Sequence, residues 1–262
     1  MLLLTGCPEG GGGDGGLRTT ETAAIVYVPN GGSNNVSGFT IDISTGALLP
    51  ITGSPFSGVT NPTAIAVSQN ATFAFVANQG GSVSAFTIDS TNRGLTAVAG
   101  SPFAAGTVPS AVTVSPNGQV LYVANGGGNV SAYTITTGTG VLTPVAGSPF
   151  AAGTNPSAVT VSPNGQFLYV ANGGGNVSAY TITAGSGVLT PVAGSPFPAG
   201  ANPVALTIEP NGEFLYVANG GGNVSAYAIA TGTGVLTPLN GLLGNPFTVG
   251  TLPSGIATPG RP

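Results

Sequence analysis

From Thr22 onward the chain repeats one unit five times, and this repetition narrows its possible folds further than anything else in it. The motif Tyr-Val-Ala-Asn and its variants fall at Tyr27, Phe75, Tyr122, Tyr169 and Tyr216, spaced 48, 47, 47 and 47 residues apart. Within each copy an apolar run such as Phe167 to Asn172 meets a Gly-rich turn, Gly173-Gly174-Gly175. The alternating run Val177 to Ile182 follows, which is the pattern of a β-hairpin. A third run, Gly187 to Val192, ends at Gly194-Ser195-Pro196-Phe197. After a loop closing at Pro203 comes a fourth, Ala205 to Ile208, which turns at Pro210-Asn211-Gly212. Four short strands at this period predict the blade of a β-propeller.

Composition agrees. With 45 Gly and 22 Pro in 262 residues, about a quarter of the chain resists helix, so a helical bundle is excluded. The 41% of hydrophobic residues still supplies a core, which separates this chain from a disordered one.

The count of strands sets the expected architecture. We call the strand of the type Pro-Ser-Ala-Val-Thr-Val the opening strand, and the others the second, third and closing strands. The repeats begin with the second strand of one blade and end, at Pro253 to Ala257, with one opening strand more than the interior needs. Five sets of second, third and closing strands meet five opening strands, at Ala64, Ala111, Ala158, Ala205 and Gly255. The expectation is an all-β, five-bladed propeller over residues 22–258, closed by the C-terminal strand joining the N-terminal blade so that no edge stays open between them. A fragment of a larger propeller is the main alternative. A solenoid fits less well, since its ends would need polar capping repeats.

Before the repeats, Leu4-Thr5-Gly6-Cys7 fits the end of a bacterial lipoprotein signal, in which a small residue precedes an acylated Cys. On this reading residues 1–7 are a truncated signal with its lipobox, 8–21 are a Gly-rich tether and 259–262 a short tail. Lipid on Cys7 holds the protein outside the cytoplasm, at the outer membrane or cell surface of a bacterium. The apolar run before Cys7 is only three Leu, shorter than a signal peptide needs.

The repeat Ser162-Pro163-Asn164-Gly165-Gln166-Phe167-Leu168-Tyr169-Val170-Ala171-Asn172, with Asn176 to Tyr180 and Leu189 to Val192, resembles that of the propeller lactonase family and of the related YVTN surface-protein propellers. The resemblance covers Thr22 to Thr258. It implies the propeller fold and seven blades in known lactonase-type members. It also implies opening of lactones such as 6-phosphogluconolactone, but propellers host many unrelated functions.

The residues offer little for such chemistry. Seven acids, three Arg, no Lys and no His exclude a nucleic-acid binder, which needs a positive field, and starve most catalytic mechanisms. Within the repeats the charged groups are Asp42, Asp89, Arg93, Glu209 and Glu213, which read as solvated turn residues. No cofactor, metal or catalytic constellation is expected. Near-identical blades donate the same residue rather than a set of different ones, so what they build is a ring of equivalents. The candidates are Asn78, Asn125, Asn172 and Asn219, with Asn30 in the first blade, closing the second strand beside turns expected to expose backbone amides. Asn129, Asn176 and Asn223 lie across the turn. Such groups suit sugars or extended peptide, although they equally stabilise the turn itself. Phe56, Phe103, Phe150, Phe197 and Phe247 are read as wedges between blades. The functional expectation is a non-catalytic binding or scaffold module for a surface protein or glycan. The alternatives are a lactone hydrolase and a self-associating surface-layer protein.

Overall fold

The computed structural model describes residues 24–239 and 245–258. Every regular element among them is β, and the five sheets form the expected propeller. The first sheet has three strands, Ile25–Asn30, Asn35–Ile41 and Leu48–Pro50. The second opens with Pro62–Val67 and continues through Phe73–Asn78, Ser82–Ile88 and Leu95–Ala97. The third runs Pro109–Val114, Val120–Asn125, Asn129–Ile135 and Leu142–Pro144. The fourth runs Pro156–Val161, Phe167–Asn172, Asn176–Ile182 and Leu189–Pro191. The fifth runs Pro203–Ile208, Phe214–Asn219, Asn223–Ile229 and Leu236–Pro238. Neighbours pair antiparallel throughout.

One element escaped the sequence pattern. In sheets two to five the two residues at Phe103, Phe150, Phe197 and Phe247 pair with the start of the third strand, so each sheet gains a short fifth strand. This pairing fastens the loop between one sheet and the next and turns the Phe ring inward. Phe103, Phe150 and Phe197 join the packed clusters between sheets, as does Phe56 in the first repeat.

The core is divided among the gaps between sheets. Tyr27 and Val36 pack on Val76 and Phe86, and Phe73 and Phe75 pack on Leu121 and Val123. Tyr122 meets Leu168, and Tyr169 meets Leu215 and Val217. Because the second strand is covered on both faces, Val120–Asn125 and Phe167–Asn172 are buried at every residue. That explains the unbroken apolar run where an alternating pattern would mark a half-exposed strand. A fully buried Leu168 side chain contributes about 1.5–3 kcal/mol.

Hydroxyls fasten the gaps further. The Tyr122 and Tyr169 hydroxyls donate across the gap to the carbonyls of Gly187 and Gly234, both at 3.0 Å. In the other direction, the Tyr180 hydroxyl reaches back to the Ala151 carbonyl at 2.5 Å. Nearer the axis, Thr63, Ser110 and Ser157 each donate from one opening strand to the carbonyl of the Pro that begins the next, at 2.8, 2.7 and 2.7 Å.

The expected closure by the C-terminal strand does not form. The first sheet keeps three strands, and Ser254 to Thr258 make no strand pairing. The Thr258 hydroxyl instead lies 3.2 Å from that of Thr207 and donates to the Ile208 carbonyl at 3.2 Å, beside the opening strand of the fifth sheet. The cause is local. Leu252 takes the same left-handed conformation (φ 54°) before Pro253 that Val108, Asn155 and Asn202 take before Pro109, Pro156 and Pro203. The chain thus leaves the fifth sheet as it leaves every other one and enters the place of a next opening strand, and among the described residues that place has no pairing to the first sheet.

Candidate functional site

Two kinds of loop share one face of the propeller: the turn joining second to third strand, and the long loop leading into each opening strand. Their packing is tight. Gly126 and Gly127 donate their amides to the carbonyls of Val108 and Thr107, at 2.8 and 3.1 Å, and Gly128 closes the turn on the Asn125 carbonyl at 3.0 Å. Gly173, Gly174 and Gly175 repeat this on Asn155, Thr154 and Asn172. The expectation that these Gly-rich turns expose free backbone amides is therefore corrected, because the incoming loop takes them up.

Asn78, Asn125, Asn172 and Asn219 lie beneath these turns, at most 2% exposed. The amide nitrogen of Asn125 donates to Asn129 Oδ1 at 2.8 Å and to Ser131 Oγ at 3.0 Å. Asn172 does the same with Asn176 and Ser178, and Asn219 with Asn223 and Ser225. Asn78 uses Ser82 and Ser84, and Asn30 uses Asn35 and Ser37. Asn78 Oδ1 accepts from the Thr60 amide at 3.2 Å, whereas the Oδ1 atoms of Asn125, Asn172 and Asn219 have no hydrogen-bond partner. Gly153 presses on this network, since a Cβ there would stand 2.6 Å from the Asn172 side chain. The inner asparagines thus hold the turn from below. Asn129, Asn176 and Asn223 are half-buried and stand nearer the surface.

The exposed polar groups of this face come from residues outside the repeated asparagine ring. Thr60, Asn61, Gln79, Thr107, Thr154, Asn155 and Asn202 are all exposed. In the second sheet the Asn61 carboxamide bonds Gln79, and the Asn61 amide donates to Asn34 Oδ1 at 2.6 Å. The available signal was the residue before each opening-strand Pro, where three of five copies carry Asn in a conformation that Asn tolerates well.

The charged groups lie on the opposite face, in the turns between opening and second strands and between third and closing strands. Asp42 Oδ1 accepts from the Ser44 hydroxyl at 2.5 Å and from the Ser44 and Thr45 amides, which holds its carboxyl below the usual range. The amides of Asn92 and Thr91 do the same for Asp89, with a smaller contribution from the Arg93 charge. Glu209 Oε1 accepts from the Glu213 amide at 3.1 Å. These are turn-closing carboxylates. No group of three or more potential metal ligands occurs among the described residues. On this face an open groove of about 760 Å³ lies between sheets two and three. It is lined by uncharged groups that include Gln69, Asn70, Asn117, Gln119 and Thr137. Cys7 lies outside the described residues, and no described helix is long and apolar enough to cross a membrane.

Residues 19–145 and 125–243 match the family described as "Lactonase, 7-bladed beta-propeller". The chain belongs to that family of lactonase-like propellers. Among solved structures it is similar to a protein of Bacteroides uniformis named as a candidate 6-phosphogluconolactonase. The two share 20% identity and a TM-score of 0.75 over 90% of this chain and 71% of that one. A candidate 6-phosphogluconolactonase of Bacteroides fragilis gives 21% identity and a TM-score of 0.72, over 90% of this chain and 70% of that one. The periplasmic gluconolactonase PpgL of Pseudomonas aeruginosa gives 20% and 0.67, over 83% and 68%. At these identities the likeness speaks for the fold. No curated protein matches the chain.

Proposed function

We propose that the propeller is a binding module held outside the cytoplasm by lipid on Cys7, with its working surface on the face of the long loops. The ligand is a neutral polar one, a surface glycan or an extended peptide segment. One observation carries this reading. Thr107, Thr154, Asn155 and Asn202 repeat exposed hydroxyls and carboxamides along that face, while the carboxylates of Asp42, Asp89 and Glu209 are engaged in turns of the other. Uncharged donors and acceptors in a repeating row suit a ligand that is itself a row of hydroxyls or amides. The rigid turns beneath supply the preorganisation that keeps ordering costs low.

The test is a glycan and peptide array probed with the whole chain, followed by titration of any hit against the double variant Asn155→Ala/Asn202→Ala. Both side chains are exposed, and Val108 and Leu252 take the same left-handed conformation at the equivalent position, so the fold should survive. A loss of tenfold or more in affinity is expected, and unchanged binding rejects this face. Anchorage is tested by labelled palmitate in cells expressing the chain with its own leader, where Cys7→Ser should abolish incorporation.

A second reading is hydrolysis of a sugar lactone, favoured by membership of the lactonase family and by the gluconolactonase names of its structural neighbours. A panel of lactones incubated with the purified protein decides between them. Ring opening above background that disappears in Asp89→Asn or Glu209→Gln would favour the enzyme.

A further inference from the structure

The seams between neighbouring sheets are not all closed alike on the face that carries the turns between opening and second strands. Those turns read Ser115-Pro116-Asn117-Gly118-Gln119 in the third sheet and Ser162-Pro163-Asn164-Gly165-Gln166 in the fourth. From the third sheet to the fifth, the Pro of one turn lies against the Gly of the next. A Cβ added at Gly165 would meet Pro116 Cδ at 3.9 Å, and one at Gly212 would meet Pro163 Cδ at 3.5 Å. The second sheet has Ser68-Gln69-Asn70-Ala71-Thr72 in this place, so Gln69 stands where the others carry Pro. Across that seam, a Cβ added at Gly118 would meet nothing within 4 Å.

The backbone of the turn is unchanged. Ala71 takes the left-handed conformation (φ 52°) of Gly118, Gly165 and Gly212, and its amide donates to the Ser68 carbonyl at 2.8 Å as that of Gly118 does to Ser115. The opening therefore comes from the side chain at Gln69. It is the groove of about 760 Å³ between sheets two and three, a volume in the range of small-ligand sites. Buried Phe73 and Ile135 line it, together with exposed Gln69, Asn70, Gln119 and Thr137.

The exposed groups are rich in donors. Asn70 Oδ1 already accepts from the Ser68 hydroxyl at 2.8 Å and from the Thr72 amide at 3.2 Å, and Gln119 Oε1 accepts from the Asn117 carboxamide at 3.1 Å. The amide nitrogens of Asn70 and Gln119 donate to nothing among the described residues, so both have N–H groups to offer a ligand. No acid and no Arg is among the lining residues, which leaves an ion without a partner of opposite charge. A neutral saccharide fits these groups, because its hydroxyl and carbonyl oxygens accept and the C–H face of its ring suits the apolar side chains. We propose that this seam is a second ligand site, on the face opposite the long loops, which takes a short neutral saccharide. It shares no residue with the loop face, so it stands or falls apart from the ligand proposed there.

The experiment is an NMR titration of the whole chain with cellobiose, maltose and diacetylchitobiose, following the Gly118 backbone amide and the Gln119 side-chain amide. At least one sugar is expected to shift both signals to saturation. Gln69→Pro restores the residue that closes the other seams and is expected to raise the half-saturating concentration at Gly118 tenfold or more, with the melting temperature unchanged. Should it fold poorly, Gln119→Ala/Thr137→Ala, at two exposed side chains, is expected to weaken binding fivefold or more. Asn155→Ala/Asn202→Ala on the loop face is expected to leave the value at Gly118 as it was. No shift with any of the three sugars overturns the proposal. So does a Gln69→Pro variant that binds as the wild type does. Shifts confined to the loop-face amides of Gly126 and Gly173 also overturn it, and favour the reading of that face instead.

Discussion

The fourth and fifth sheets carry nearly the same sequence, yet their second strands live in different surroundings. Phe167–Asn172 is buried throughout, while in Phe214–Asn219 the residues Phe214 and Tyr216 are only half-buried. The residues Phe-Leu-Tyr-Val-Ala-Asn are identical in the two strands. What changes is the neighbour: the fourth sheet lies between two others, and among the described residues the fifth has a covered face and a face with residues 253–258 beside it. Burial in a repeat protein belongs to the gap between units rather than to the unit, as nearest-neighbour energetics of stacked repeats require.

The strongest challenge to this contrast is to truncate the same side chain in both places. Tyr169→Ala should cost about 3–5 kcal/mol, the cost of emptying a large aromatic site in a close-packed core, whereas Tyr216→Ala should cost less than half of that. Urea unfolding of both variants in dilute solution checks it, and equal costs would mean that the fifth sheet is covered after all. Next in size is Gly153→Ala, whose Cβ would press on the Asn172 amide at 2.6 Å. About 1–3 kcal/mol of destabilisation is expected. Gly32, where an added Cβ would meet nothing within 4 Å, should accept Ala within about 0.5 kcal/mol, and thermal unfolding of the two variants reads the difference.

A smaller effect separates the tyrosine hydroxyls. Tyr169→Phe leaves the Gly234 carbonyl without its donor and should cost about 1–2 kcal/mol, while Tyr216→Phe should be neutral. The second sheet already carries Phe75 at this position, which shows that the packing survives without the bond.

The gentlest contrast is in pH. Burial raises the Tyr27 phenol to about 12 and pushes those of Tyr122 and Tyr169 higher. A phenol raised in the folded state gives stability that is whole below the unfolded value near 10 and is lost as pH climbs through the folded one. The absorbance of these buried tyrosinates should therefore rise late and together with unfolding, rather than near pH 10. For Asp42 and Asp89 the folded pKa is lowered, so their contribution is present above the unfolded carboxyl value and fades as pH falls through the folded one. Asp89→Asn should flatten the acid side of the stability profile slightly.

The fold was legible because its signals are local and repeated five times. The hairpins, the Gly-rich turns and the strand count all follow from short-range chemistry, and the Phe wedges from an aromatic placed after Pro. Closure of the ring was misread because counting strands says which pieces exist but not where the chain carries the last one. Where that piece lands relative to the first sheet depends on how far each sheet is rotated from the one before, which no local residue pattern states, and Leu252 merely repeats the exit taken by every other sheet. The candidate site was legible only in part. Asn125 and its equivalents stand out in the sequence by repetition, but repetition marks whatever the unit needs, and these side chains serve the turn from beneath. The exposed Asn155 and Asn202 are less regular, with Val108 and Leu252 at the same position, so a search for identical rings passes over them.

The hydroxyl that each of Thr63, Ser110 and Ser157 sends to the next opening strand bears on how such a molecule changes over generations. Each unit brings its own latch and the carbonyl that receives the latch before it. A tandem copying error of one period therefore inserts a sector already fitted at both seams, with no second mutation needed. At Val204 the latch is missing, and there the side chain has no hydroxyl to send onward. Sector number in this lineage should accordingly drift by whole steps, with the last seam as the place where growth or loss begins.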